Sequence, residues 1–221
     1  MEMTSMIGVE SHIAYFFFAF ASVFIIVNPV EATIVFISLT PEASAGERAR
    51  ISLRAASVAF FIAILFALTG DLVLRFFGTT IDALRVAGGI LLFIMAIDML
   101  KARPKRKVTE AELADAGDRE DVSIFPLATP LLTGPGAITT VIVLMGTAPG
   151  PAEKVAVFLA ITATFAATYL ILRSSEYVGQ ILGLTGILVM TRIMGLMLGA
   201  IAVNFVAFGA WNIYAGLAGI S

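Results

Sequence analysis

Two short stretches decide the fold of this chain: Asn28-Pro29-Val30-Glu31 and, further on, Thr133-Gly134-Pro135-Gly136. Each interrupts a run of apolar residues near its middle, and each run is long enough to cross a lipid bilayer. Proline removes a backbone donor and glycine adds flexibility, so both stretches are unfavourable inside a helix. In lipid the freed carbonyl groups find no water, so such a break persists only where protein or a wet cavity satisfies it. We therefore expect the two breaks to face each other and to form one binding site.

The composition indicates an integral membrane protein made of helices. Of the 221 residues, 59% are hydrophobic and 14% are charged, whereas soluble domains have about 45–50% apolar and about 25% charged residues. Repeated apolar runs of about 20 residues are typical of transmembrane helices and not of a β-barrel. The chain has no cysteine and a single histidine, His12. This excludes a cysteine-based metal site, and we expect neither a metal nor a cofactor.

Six apolar stretches predict six transmembrane helices, all within a single membrane domain that covers residues 1–221. The predicted helices span about 13–39, 53–77, 81–100, 124–146, 152–173 and 190–213. The breaks make the first and the fourth helix discontinuous. Residues 101–121 are the only long hydrophilic stretch and are interpreted as a solvated linker.

The basic residues predict the orientation of this bundle. Eleven of the 14 lysines and arginines fall in the links on one side. The positive-inside rule places that side, with the linker 101–121, in the cytoplasm and both termini outside. We interpret the basic cluster of the linker as a topology signal and expect no nucleic-acid partner.

The two breaks belong to an internal repeat of three helices. Pro29 and Pro135 lie 106 residues apart, and Gly78 and Gly183 are separated by 105. A repeat of about 13–100 therefore precedes a second one of about 124–213. Because three spans are an odd number, the second copy enters from the opposite face, and we expect two inverted repeats. Inverted repeats with discontinuous helices in matching places indicate a secondary transporter with its substrate near the midplane.

The chemistry of a broken helix suits a small zwitterion. The second half-helix exposes unpaired amides at its positive end, here around 30–32 and 136–138, and these favour a carboxylate. The last carbonyls of the first half-helices, near Val27 and Leu132, favour an ammonium group. The predicted substrate-binding residues are therefore those of the two stretches quoted first, namely Asn28, Pro29, Val30, Glu31, Thr133, Gly134, Pro135 and Gly136.

Glu31 and two further polar residues in the apolar spans, Asp71 and Asn204, are candidates for additional roles. Glu31 is the only acid in the first span, and intramembrane acids are costly enough to suggest a role such as proton coupling. Asp71 is a second candidate for proton coupling, although a pair with Arg75 one turn on is the favoured interpretation. Asn204 lies deep in the last helix and needs a hydrogen-bond partner, so it either joins helices or contacts substrate.

Several short motifs of this chain resemble those of the MarC-related proteins, a family of six-helix inner-membrane proteins grouped with the lysine-exporter superfamily. The resemblance covers nearly the whole chain, and its most specific part is the block Pro126-Leu127-Ala128-Thr129-Pro130-Leu131-Leu132-Thr133-Gly134-Pro135-Gly136. Further matches are Asn28-Pro29, Arg85-Val86-Ala87-Gly88-Gly89 and Thr191-Arg192-Ile193-Met194-Gly195. The family includes transporters of small neutral amino acids. The resemblance therefore implies transport of glycine or alanine, coupled to protons, with the ligand at the two breaks. It also implies a location in the bacterial inner membrane.

The sequence is compatible with several alternatives. Glu31 departs from the family pattern, which usually has a small or neutral residue there, so the charge preference and the coupling ion are open. The chain could instead export another small metabolite, or be an intramembrane enzyme or a structural subunit. Against an enzyme, no nucleophile with a matching base is visible in the spans. The expected partners are a small amino acid and the lipid bilayer, and a homo-oligomer is left open.

Overall fold

The computed structural model describes residues 2–41, 43–101 and 123–220, and the regular structure of these residues is entirely helical. The predicted linker falls almost wholly outside the described residues. The helices are α1 (Glu2–Val27), α2 (Pro29–Leu39), α3 (Ala45–Phe76), α4 (Ile81–Leu100), α5 (Ser123–Leu132), α6 (Pro135–Gly146), α7 (Pro151–Arg173) and α8 (Ser175–Ala218).

The lengths and hydropathy of these helices are those of a multi-pass membrane protein. Five stretches are long and apolar enough to cross a bilayer, namely His12–Leu39, Ala45–Phe76, Ile81–Leu100, Pro151–Arg173 and Ser175–Ala218. The apolar helix α6 is shorter, at 12 residues, and follows α5 after a gap of two residues. The prediction of an all-helical integral membrane protein is confirmed.

Helix α3 begins about eight residues before the predicted start of the second span. Ser44 caps it, because its hydroxyl accepts from the amide of Glu47 while the Glu47 carboxylate accepts from the amide of Ser44 (2.8 Å). Such a capping box satisfies two amides at a helix start. The polar residues after Ser44, assigned to a link, are therefore the first turns of α3.

Helix α8 also begins earlier than predicted. The less apolar stretch from Ser175 is already helical, and it joins the main part of α8 at Gly183, where φ is 58° and ψ is 179°. Only glycine adopts this backbone conformation without strain. The missed element is thus a short helical segment that changes direction at one glycine.

We expect Gly183→Ala to lower the free energy of unfolding by about 1–3 kcal/mol, because alanine is strained at a positive φ of this kind. The measurement is thermal unfolding in detergent. Gly46→Ala is the matched control, since a methyl group at Gly46 would contact nothing within 4 Å and alanine favours a helix. Equal unfolding temperatures for Gly183→Ala and wild type would contradict the assigned conformation.

Helices α4 and α8 form the most extensive pair in the bundle, and glycines set their distance. A methyl group built on Gly89 would lie 2.9 Å from the carbonyl oxygen of Ala202, and one built on Gly195 would lie 3.2 Å from that of Ala96. Gly209 likewise approaches the carbonyl oxygen of Asp82. Small residues at such positions let membrane helices approach backbone to backbone. Residue numbers rise along α4 as those of the contacting residues in α8 fall, so the two helices are antiparallel.

Helix α6 occupies the centre of the bundle. Eight of its residues are buried: Gly136, Ala137, Thr139, Thr140, Val141, Ile142, Val143 and Leu144. It packs against α1, α3, α4 and α7, and the small Gly70 of α3 makes room for Ile142. Most of α6 is therefore shielded from lipid, while its N-terminal end is half-buried at Gly134 and exposed at Pro135.

Candidate functional site

The first break is built by Asn28. Its backbone has φ 47° and ψ 61°, and it is the only non-glycine residue with positive φ among the described residues. Asparagine tolerates this left-handed conformation better than most residues. It separates α1 from α2, while Pro29 takes the first position of α2, where its missing N–H costs nothing. Asn28 is 5% exposed, and Pro29 and Val30 are buried as well.

Glu31 is joined to this break by a reciprocal contact. The Asn28 side chain donates to the Glu31 carboxylate (2.5 Å) and its oxygen accepts from the Glu31 amide (3.4 Å). An acid in the first turn also interacts favourably with the positive end of the helix. Glu31 is therefore part of the cap of α2, a structural contribution that the sequence analysis did not foresee.

The second break follows a π-helix. Residues of α5 are wound more widely than an α-helix, and the last bond runs from the amide of Thr133 to the carbonyl of Ala128, five residues back (3.0 Å). Pro126 and Pro130 have no backbone N–H, which breaks the regular hydrogen-bond ladder of an α-helix here. The Thr133 side chain is buried and donates to the carbonyl of Ala59 in α3 (3.0 Å). This anchor fixes the end of α5 against α3.

The two breaks meet. A methyl group built on Gly136 would lie 3.6 Å from Ile26, two residues before Asn28, and 3.0 Å from both Leu92 and Met95 of α4. Helix α1 also packs on α6, and α2 packs on α5. The hydroxyl of Tyr15 in α1 donates to the carbonyl of Leu144 in α6 (3.2 Å). The start of α6 thus lies next to the end of α1, and we call this contact between the two breaks the junction. Pro135, beside Gly136, is exposed.

The helix N-termini at the junction differ in charge and capping. At α2 the cap is supplied by Asn28, and Glu31 places an acid in the first turn. At α6 the N-cap is Gly134, which has no side chain to cap the helix, and the first turn contains no acid. Ile138 donates to the carbonyl of Gly134 (3.1 Å). The amides of Gly136 and Ala137 therefore form an uncapped, positively polarised end that suits a carboxylate.

Buried hydroxyl groups in α6 and α7 were missed by the sequence analysis. The hydroxyls of Thr140 in α6 and Thr164 in α7 are fully buried and have no hydrogen-bond partner among the described residues. Thr168 follows one turn after Thr164 and donates to its carbonyl (2.8 Å). Two threonines at one-turn spacing in an apolar span indicate a polar stripe on one helix face, so the signal was present in the sequence.

Two predicted residues lie away from the junction. Asp71 is exposed near the end of α3 and pairs with Arg75 (2.9 Å), as the favoured interpretation expected. Asn204 is exposed on the outer face of α8, beside a groove between α4 and α8. The structure does not bring either residue to the breaks. Within the described ranges, no three His, Asp or Glu side chains come close enough together to hold a metal ion.

Comparison with known proteins gives the family. The model of the MarC family of integral membrane proteins matches residues 13–214, which include both breaks. The chain belongs to the MarC family. No solved structure gives a significant match to this MarC protein.

Relatives of this MarC protein are found in archaea and bacteria. It is 42% identical over 195 residues to the UPF0056 membrane protein MJ1677 of Methanocaldococcus jannaschii, covering 88% of this chain and 95% of the relative. It is 42% identical over 196 residues to a UPF0056 membrane protein of Aquifex aeolicus (88% and 92% covered). It is 38% identical over 206 residues to the UPF0056 membrane protein YhcE of Escherichia coli (92% and 94% covered).

Proposed function

We propose that this protein is a secondary transporter of small neutral amino acids such as glycine and alanine, with the substrate bound where the two breaks meet. The observation that carries the proposal is the approach of Gly136, at the start of α6, to Ile26, at the end of α1. It brings two interrupted apolar stretches together inside the bundle. Matching discontinuous helices that meet at mid-depth are typical of the substrate sites of secondary transporters.

The proposal includes two inverted repeats, and the glycine contacts of α4 and α8 support them. Gly89 approaches Ala202, Phe205 and Val206, while Gly195 approaches Ala96, Met99 and Leu100. Every residue of the first set lies 106 positions from its counterpart in the second, with the two helices exchanged. A two-fold axis relating the repeats requires this reciprocity, since contact of i with j then implies contact of their equivalents. The positive φ of both Gly78 (66°) and Gly183 (58°) also supports the relation.

The chemistry of the junction favours a zwitterion in one orientation. The substrate carboxylate would accept from the uncapped amides of Gly136 and Ala137, where the helix end is positive and no acid competes. The ammonium group would face Glu31 and the last carbonyls of α1. Glycine at 136 admits close backbone approach to a ligand. The buried hydroxyls of Thr140 and Thr164 supply polar groups that water or substrate can satisfy.

Contacts at the ends of the bundle support the proposed orientation in the plasma membrane. His12 pairs with Glu153 (2.6 Å) and Asn212 donates to Asp82 (2.9 Å) at one end. At the other end Arg48 pairs with Glu176 and donates to the carbonyl of Thr40 (2.9 Å). The N-terminal part of α1 and the C-terminal part of α8 thus lie at the same end of the bundle as the starts of α4 and α7. The excess of basic residues at the opposite end favours the cytoplasm there.

The direct test is counterflow in liposomes containing the purified protein. Liposomes loaded with unlabelled glycine or alanine are diluted into the labelled amino acid, with and without a pH gradient. We expect saturable uptake that protein-free liposomes lack. Absence of saturable flux for every small neutral amino acid would overturn the proposed substrate class.

The role of Glu31 in proton coupling is tested by Glu31→Gln. Glutamine keeps the length of the side chain and an oxygen that can accept from Asn28, but it cannot take up a proton at neutral pH. We expect counterflow to persist while the dependence of net uptake on the pH gradient is lost. Asp71→Asn is the matched control, because Asp71 is exposed and paired with Arg75. If Asp71→Asn removes the pH dependence and Glu31→Gln keeps it, the coupling residue is Asp71.

A further inference from the structure

Asn204 places an amide group in the lipid-facing surface at mid-depth. It precedes Asn212, which bonds to Asp82 at one end of the bundle, by eight residues, or about 12 Å of helix. It follows Arg192 by twelve residues, or about 18 Å. The hydrocarbon core is about 30 Å thick, so Asn204 lies close to its middle. Its side chain is exposed on the outer face of α8.

Two other polar side chains on the outer surface bond within their own helices. Thr69 of α3 donates to the carbonyl of Leu65 (2.7 Å), and Thr162 of α7 donates to that of Phe158 (2.9 Å). A threonine hydroxyl reaches the carbonyl one turn back in its own helix. The Asn204 amide makes no hydrogen bond to any described residue. An amide with two donors and an acceptor in hydrocarbon is costly unless another group pairs with it.

The surface around Asn204 has small residues and a groove that leave room for a second helix. Ala200 lies one turn before it and Ala207 one turn after, and both are exposed. Small residues at this spacing allow a second backbone to approach closely. Beside them runs a groove of about 550 Å³ between α4 and α8, lined chiefly by apolar residues including Phe93, Ile97 and Val203, with Asn204 at its edge.

We propose that this face of α8 is a dimer interface, in which α8 of a second copy of the chain packs against Ala200 and Ala207 and the two Asn204 side chains bond to each other. The carboxamide is its own complement, because it offers both donors and an acceptor. A two-fold axis along the membrane normal places the two Asn204 residues at the same depth and makes α8 its own partner. A polar residue at one interface position is also a known way to fix the register of paired helices.

The absence of cysteine from the chain allows a test by crosslinking without background. Single variants Ala207→Cys and Leu65→Cys are oxidised in native membranes, and the covalent dimer is measured on a denaturing gel. Leu65 is the control, since it is an exposed apolar residue of α3 outside the proposed interface. We expect at least roughly tenfold more dimer for Ala207→Cys. Equal yields for the two variants, or no dimer for Ala207→Cys, would overturn the interface.

The role of Asn204 is measured by single-molecule counting of subunits in dilute liposomes. We expect Asn204→Leu to weaken the dimer by roughly three- to tenfold, in line with interhelical hydrogen bonds in membranes, while Asn204→Gln keeps most of it. Thermal melts followed by circular dichroism serve as the control that both variants are folded. An unchanged dimer fraction in Asn204→Leu would overturn the bond. A folded wild-type monomer that retains lipid in native mass spectrometry would show that lipid occupies the groove instead.

Discussion

Gly136→Leu is expected to lower the initial rate of glycine counterflow at least about tenfold, the rate equivalent of about 1.4 kcal/mol. A side chain on Gly136 would grow from a position already 3.0 Å from Leu92 and Met95 into the junction of the two breaks. It would occupy the space in which the proposed carboxylate meets the amides of α6. Gly136→Ala should give an intermediate rate, because only one methyl group has to be accommodated.

The control for this series is Gly216→Leu, since a side chain there meets nothing within 4 Å. Counterflow is compared among variants that elute as single species and have the helical content of wild type. Wild-type rates in a folded Gly136→Leu protein would contradict the position of the site. Loss of transport in Gly216→Leu would show that the effect is not local.

Gly195→Ala and Gly89→Ala are expected to destabilise the protein by similar amounts, about 1–3 kcal/mol each. The added methyl group would lie 2.8 Å from Met99 at Gly195 and 2.8 Å from Val206 at Gly89, with backbone carbonyls close behind. The helix pair α4–α8 would have to separate. Since the two sites are equivalents in the proposed repeat, their effects should agree more closely with each other than with any third glycine.

Gly199→Ala is the control for this pair, because it lies one turn from Gly195 in the same helix and its methyl group would rest 3.7 Å from Ala96. This is ordinary van der Waals contact, so alanine should be neutral or stabilising by up to about 1 kcal/mol. The measurement is thermal unfolding in one detergent. A stable Gly195→Ala beside an unstable Gly89→Ala would contradict the proposed two-fold relation.

The apolar runs and their punctuation predicted most of the fold. The apolar helices and the two interruptions follow from hydropathy and from Pro and Gly, which act locally. The predicted linker lies almost wholly outside the described residues and stays a prediction. The early starts of α3 and α8 were missed for another reason. A capping box at Ser44 and a positive φ at Gly183 depend on three-residue and single-residue geometry, which a hydropathy pattern does not resolve.

The candidate site was only partly predictable. Offset and residue type indicated that two breaks belong together, but the difference between their helix ends depends on where side chains point. Asn28 turns its amide toward Glu31, and this contact makes Glu31 part of a cap. The anchor from Thr133 to Ala59 joins residues 74 positions apart, and no local pattern could indicate it.

The division of the first apolar stretch at Asn28 has a consequence for biosynthesis. Helix α2 has 11 residues, too few to cross the membrane alone, where about 20 are needed. The helices that pack on α1 and α2 at the break, α6 and α5, are translated about 106 residues later. At about 5–20 residues per second, the ribosome takes roughly 5–20 s to deliver them. During that interval the nascent first repeat carries an incomplete interior in the bilayer, so the insertion machinery or a membrane chaperone has a defined window in which to hold it.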